Sequence, residues 1–258
     1  IGLALGAGSA KGLAHIGVIK ELEKNNISVD YIAGTSIGSV IGGMYAYTKD
    51  IKIIENLAYS KGYKELFSAF FDPSLKASFF KGEKVLDLLD GYIPDDALIQ
   101  DTKIPFAAIA TNRIDAKTVV LKEGNLKEAI RASISIPLLL QPVNYQNMIL
   151  IDGGATDPVP VDVVRGMGAQ RVIGVNLYSS LFPKKFDSQK LSLSDIVNTM
   201  VDISLYNASI IGTSQADVQL NLPIDSDLPL TALAEDPTVL IKIGEEETQK
   251  AMNKLRLL

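Results

Sequence analysis

Gly34-Thr35-Ser36-Ile37-Gly38 is a G-x-S-x-G pattern, with an apolar stretch before it and a helix rich in small residues after it. In that setting a sharp strand-to-helix turn pushes the serine into a strained backbone conformation. Small flanking residues let the turn close and leave the hydroxyl accessible. Such a hydroxyl attacks acyl carbonyls if a base takes its proton. Read more plainly, the same five residues are only a turn between a strand and a helix.

A second candidate is Gly6-Ala7-Gly8-Ser9-Ala10-Lys11-Gly12, which follows an apolar segment and opens a helix. Helix-opening amides form an anion site. Those of Gly8, Ser9 and Ala10, with that of Ile37, are candidates to hold the oxyanion of a tetrahedral intermediate. Histidine is the usual base for serine, but the chain has one, His15, a turn into the first helix, where a packing or hydrogen-bonding role is expected. Asp152 is the best replacement. It ends an apolar segment, and Gly153 and Gly154 permit a tight turn and close approach. Taken locally, Asp-Gly-Gly is a common turn; pairing with Ser36 in a chain short of histidine is what raises it. Burial would lift the carboxyl from about 3.9 toward neutral pH. Lys11 is the alternative base, by analogy with Ser–Lys hydrolases.

The elements that must position these groups alternate. Strands are expected at Ile1–Leu5, Val29–Ala33, Pro105–Ala110, Thr118–Leu121, Met148–Ile151, Arg171–Leu177 and 217–222. Helices are expected to about Asn25, to about Tyr47, over Leu126–Ser133, 193–210 and 238–256. Residues 50–90 read as helices around Phe67, Phe70, Phe71, Phe79 and Phe80, either an acyl-chain wall or lid, or ordinary core. The alternation implies one three-layer α/β/α domain across 1–258 with a mainly parallel central sheet. Consecutive parallel strands are often neighbours, which puts the Gly-rich turn beside the Ser36 elbow at the carboxyl edge, where such folds bind ligands.

Composition narrows the chemistry. The chain has 258 residues, 47% of them hydrophobic, and a net charge of −5. That balance argues against nucleic-acid backbone binding. With no cysteine and one histidine, thiolate nucleophiles, disulfides and multi-histidine metal sites are excluded. No apolar run approaches the roughly 18 residues of a membrane span, and no secretory signal is visible. The expected location is cytoplasmic. The first residue is Ile1 rather than Met, so upstream residues are expected to have been trimmed.

At this point the chain resembles the patatin-like phospholipase family, above all its compact bacterial members, over nearly its whole length. Three motifs match in order: the Gly-rich loop ending in Lys11-Gly12, the elbow Gly34–Gly38, and Asp152-Gly153-Gly154. Ala14-His15-Ile16-Gly17-Val18 and Arg131-Ala132-Ser133 before Ile136-Pro137 match as well. The resemblance implies a Ser36–Asp152 dyad without histidine and an oxyanion hole at Gly8, Ser9 and Ala10. It also implies an acyl-enzyme, no metal or other cofactor, and hydrolysis of phospholipid or lysophospholipid acyl esters. The chain departs from the commonest loop at Ala7 and Ser9, where glycines are frequent, which bears on which amides point inward. Lipid substrates further imply peripheral membrane contact, with 62–80 and 178–190 as candidate surfaces.

Three rivals stand beside this reading. Gly6, Gly8 and Gly12 after a strand suggest a dinucleotide loop, but the spacing is G-x-G-x-x-x-G, and Asp30 precedes its strand rather than following it. A malonyl-type acyltransferase shares the elbow but needs a histidine base, for which His15 is badly placed. The third is a non-catalytic lipid-binding or regulatory protein on the same fold.

Overall fold

The computed structural model describes residues 1–60, 83–137, 139–183, 192–225 and 236–258. In chain order its first elements are β1 (Gly2–Leu5), α1 (Ala14–Lys24), β2 (Tyr31–Thr35), α2 (Ile37–Thr48), α3 (Ile51–Tyr59) and α4 (Glu83–Leu89). Next come β3 (Phe106–Asn112), β4 (Lys117–Leu121), α5 (Leu126–Ser133), β5 (Val143–Tyr145), β6 (Met148–Asp152) and α6 (Val161–Gly166). The last are β7 (Val172–Asn176), α7 (Leu193–Ser214), β8 (Val218–Asn221), α8 (Pro237–Lys250) and α9 (Met252–Leu255). The aromatic cluster at Phe67–Phe80 and the candidate surface 62–80 lie outside the described residues.

The strands form one sheet in the order β5-β6-β3-β2-β1-β7-β8, with β4 also paired to β3. β1, β2, β3, β7 and β8 run parallel. β4 and β6 run against β3. β1 and β7 are buried at every position, as central parallel strands covered by helices on both faces must be. Leu3, Leu5, Ile32 and Phe106 pack against the layer of α1, α2, α3, α5 and α8. The other face is made of small side chains, Ala4, Ala33 and Ala107, under Val161 and Val164 of α6. This is the expected three-layer α/β/α architecture.

The register around β3 is what positions the site. Ala108 and Ile109 pair with both β2 and β4, and Ala110–Asn112 pair with both β4 and β6. A strand has two edges, and β4 occupies one of them. β2 and β6 therefore share the other edge and meet end to end. β2 finishes with Thr35 opposite Ile109, and β6 finishes with Asp152 opposite Ala110. The ladder position next in line for Ser36 is already taken by Asp152, so the chain must leave the sheet at Ser36.

Several boundaries differ from the sequence expectation. β2 runs to Thr35 rather than Ala33 because its parallel pairing with β3 continues to Ile109, and β3 runs to Asn112 rather than Ala110 because antiparallel pairing with β4 and β6 carries it on. A 3-10 turn, Ser9–Leu13, precedes α1. The short α6 and β5 were not expected, and the closing helix breaks at Ala251. No helix among the described residues is long and apolar enough to cross a membrane.

Candidate active site

Ser36 sits between β2 and α2 with φ 55° and ψ −125°. For a residue with a Cβ this is strained backbone, at a cost of about 1–3 kcal/mol. Close packing holds it there. A Cβ on Gly38 would lie 2.2 Å from the backbone oxygen of Leu5, so α2 starts directly against β1. Ser39 Oγ donates to Ser36 O at 2.6 Å.

The strained turn delivers the Ser36 hydroxyl to Asp152, and Oγ donates to Oδ2 at 2.5 Å. The other carboxylate oxygen, Oδ1, accepts from Gly154 N at 2.7 Å. Both residues are buried, Ser36 at 4% exposure and Asp152 at 8%. Burial raises the Asp152 carboxyl from 3.8 to about 6, although the bonds from Ser36 and Gly154 pull it down. A carboxylate poised there is mostly ionised at neutral pH yet basic enough to accept a proton.

The Gly-rich turn lies alongside. A Cβ on Gly12 would fall 2.1 Å from Ile37 Cγ1, so the turn packs against the elbow without space for a side chain. Gly6 N donates to Val175 O and Ala7 N to Pro158 O, which anchors the base of the turn. Beyond that anchor, the amides of Gly8, Ser9 and Ala10, and that of Ile37, have no backbone acceptor among the described residues. Ser9 has φ 52°, a left-handed conformation that explains why glycine would be at ease there. Lys11 is buried in the same turn; the Ser36 hydroxyl bonds to Asp152 instead.

His15 is fully buried and its Nε2–H donates to Gly6 O at 2.8 Å. Desolvation lowers its pKa to about 4, so it stays neutral. Its bond to Gly6 O steadies the turn, as a packing and hydrogen-bonding residue should. Asp30 lies at the amino end of β2, the opposite edge of the sheet from these groups, which leaves a dinucleotide ribose without its carboxylate.

An apolar cavity of about 90 Å³ opens from the Ser36 side of the sheet. Ser9 and Ser36 are its polar end. Its walls include Leu13 of the 3-10 turn, Ile41 and Met44 of α2, Leu57 of α3, Val85 of α4 and Leu140 after α5.

Reasoning from sequence missed the segment that braces the pair. Ser133, at the end of α5, accepts the Ser36 amide on its Oγ at 2.9 Å. Two residues on, Ser135 O accepts from Asp152 N at 3.0 Å. Arg131 fixes this segment, bonding Ser135 Oγ at 2.7 Å and Gln141 O at 2.9 Å. One short stretch thus ties down both backbones. Its only sequence signal was Arg131-Ala132-Ser133 ahead of Ile136-Pro137, and that signal carried no role. Tyr178 was also missed; burial and the charge of Asp152 push its phenol well above the ordinary range, so it stays protonated beside the carboxylate. Because Ser133 occupies the Ser36 amide, Ser133→Ala would leave that donor buried and unpartnered. The expected loss is about 1–3 kcal/mol of unfolding free energy by urea titration, with Ser133→Thr retaining most of it.

Comparison with known proteins fits this geometry. The chain is 34% identical over 203 residues to an NTE family protein of Mycobacterium tuberculosis (strain ATCC 25618 / H37Rv), an alignment covering 78% of this chain and 55% of that protein. It is 33% identical over 187 residues to lysophospholipase NTE1 of Debaryomyces hansenii, covering 69% of this chain and 12% of that one. The chain therefore spans about half the length, or less, of these curated relatives. Among solved structures, VipD from Legionella pneumophila superposes with a TM-score of 0.54, covering 99% of this chain and 66% of that chain at 13% identity, a likeness of fold. The sequence model of the patatin-like phospholipases matches residues 3–165, a span holding the Gly-rich turn, the elbow and Asp152-Gly153-Gly154. On that match and the mycobacterial and fungal identities, the chain belongs to the patatin-like phospholipase family.

Proposed function

We propose that residues 1–258 act as a single hydrolase domain that cleaves acyl esters of phospholipids or lysophospholipids through Ser36 and Asp152. The observation that carries this reading is the 2.5 Å contact between Ser36 Oγ and Asp152 Oδ2 at the polar end of an apolar cavity. A fatty acyl chain fits such walls, and its ester carbonyl then meets the hydroxyl. The name borne by the fungal relative, a lysophospholipase, supports the substrate class.

In the proposed cycle Asp152 takes the Ser36 proton as Oγ attacks the carbonyl carbon. The amides of Ile37 and of Gly8, Ser9 or Ala10 receive the developing oxyanion. Asp152 returns the proton to the leaving glycerol oxygen, and the acyl group stays on Ser36. Water then enters, gives its proton to Asp152 and attacks the acyl-enzyme. The proton passes to Ser36 Oγ as the fatty acid leaves.

Treatment with a fluorophosphonate followed by peptide mass spectrometry tests this. We expect one adduct, on the peptide containing Ser36. An adduct on another residue, or none, would defeat the nucleophile assignment and favour a lipid-binding role without catalysis.

A further inference from the structure

The cavity beside Ser36 is a tube laid along α2. Ser36, Ile41 and Met44 line it at successive turns of that helix. At about 1.5 Å of rise per residue, Ile41 stands roughly 7 Å from Ser36 and Met44 roughly 12 Å. The neighbouring helices keep the same order. Val85, early in α4, packs with Ile134 and Leu140 just past Ser133, at the Ser36 end. Leu89, a turn later in α4, adjoins Asp90, which accepts from Lys127 in the first turn of α5 at 2.6 Å. A Cβ on Gly43 would lie 2.9 Å from Ile130 Cδ1, so the Met44 turn of α2 lies against α5 a turn back from Ser133.

The far end is shut. Ile41, Leu57 and Val85 are between 4% and 7% exposed, whereas Met44, Ile54 and Leu89, also in the wall, are at most 1% exposed. The open length therefore ends between Ile41 and Met44. An extended alkyl chain advances about 1.25 Å per carbon, from a C–C bond of about 1.5 Å and a near-tetrahedral angle. A span of roughly 7–12 Å then takes about six to nine carbons. The volume gives the same count. At roughly 10–15 Å³ per water-sized position, 90 Å³ holds about six to nine of them, and a methylene is close to a water in size.

We propose that α2 gauges the acyl group: the tube takes about eight carbons with the terminal methyl against Met44, and medium-chain esters are the preferred substrates. This deepens the proposed lipid-ester reading and rests on it. With the ester carbonyl held at Ser36, each added carbon extends toward Met44. Every methylene that leaves water raises kcat/KM by up to about fourfold. A longer chain meets side chains packed without free surface. It must displace them, which an already filled core resists, or leave its end in water. Met44 is thus a specificity residue: it meets the end of the chain and takes no part in the chemistry. Ala58, a turn along α3 from Ile54, lines the same tube with a single methyl group.

Hydrolysis of p-nitrophenyl butanoate, octanoate, dodecanoate and hexadecanoate, presented in the same detergent micelles, tests the inference. Wild-type kcat/KM is expected to be at least about tenfold higher for the octanoyl ester than for the butanoyl or hexadecanoyl ester. Ala58→Leu fills the tube. It is expected to cut the octanoyl rate at least about tenfold and keep the butanoyl rate, which also shows that the variant folds. Met44→Ala moves the stop, and the dodecanoyl-to-octanoyl ratio is expected to rise at least about fivefold. A wild-type kcat/KM that climbs on to hexadecanoyl overturns the inference. So does an unchanged octanoyl-to-butanoyl ratio in Ala58→Leu, or an unchanged dodecanoyl-to-octanoyl ratio in Met44→Ala. Hydrolysis of none of the esters would instead defeat the proposed function. The tube is then read by calorimetry on Ser36→Ala: methyl octanoate binding at least about tenfold tighter than methyl butanoate upholds it, and equal affinity overturns it.

Discussion

Asp152→Asn is expected to lower kcat for ester hydrolysis by about 10,000-fold while making the folded protein more stable. The amide keeps the shape of the carboxyl and can still accept from Gly154 N, but it cannot take the Ser36 proton. Loss of a member of a catalytic triad commonly costs at least about this much. In wild type, kcat/KM should fall about tenfold per pH unit below pH 6, because the carboxyl titrates there and only its ionised form is a base. The residual activity of the variant should lack that limb. Stability moves the other way. The Asp152 carboxyl binds its proton more tightly in the folded state, at about 6, than at its ordinary 3.8. The folded protein therefore loses stability as pH rises from about 4 to about 6, by about 3 kcal/mol in all. The asparagine variant escapes that loss. Its unfolding free energy should exceed wild type by up to about 3 kcal/mol at pH 7.5, and the gap should nearly close at pH 4. Thermal or urea unfolding at the two pH values checks it; an unchanged gap would mean that the burial of Asp152 is not what tunes it.

Gly38→Ala is expected to cost about 4 kcal/mol or more, among the largest effects of any single methyl group here. The added carbon would sit 2.2 Å from Leu5 O, and a backbone oxygen in a central strand cannot rotate away as a side chain could. Either α2 lifts from β1 or the elbow opens. In both cases the Ser36 hydroxyl leaves its 2.5 Å contact, so any protein that still folds should be nearly inactive. Gly166→Ala is the matched control. Nothing lies within 4 Å of its Cβ, and the change should be neutral or stabilising by up to about 1 kcal/mol. Urea midpoints of the two variants separate a packing cause from a general intolerance of alanine.

What could be read from the sequence was local. The elbow and the Gly-rich turn are short patterns whose chemistry follows from neighbours in the chain, and the strands around them are plain apolar runs. Asp152 read locally as a common turn, and it was raised by the shortage of histidine and by the resemblance of Asp152-Gly153-Gly154 to the family motif. Ser133 and Ser135 were not legible, since their bonds reach across the sheet to Ser36 and Asp152 and nothing in a serine's own neighbourhood announces such a partner. α6 was hidden behind Pro158 and Pro160 and is only six residues long.

Ser36 and Asp152 are 116 positions apart, yet their separation is gauged on a single peptide step of β3, from Ile109 to Ala110. Loops between the two can therefore lengthen or shorten freely without detuning the pair. One residue inserted between Ile109 and Ala110 is different in kind. It would slide the two abutting strand ends apart by about 3.4 Å and flip one side chain to the far face. The protein thus keeps its tolerance for change in its connections and its intolerance in one bond of its sheet, and the length of β3 acts as the caliper for the whole site.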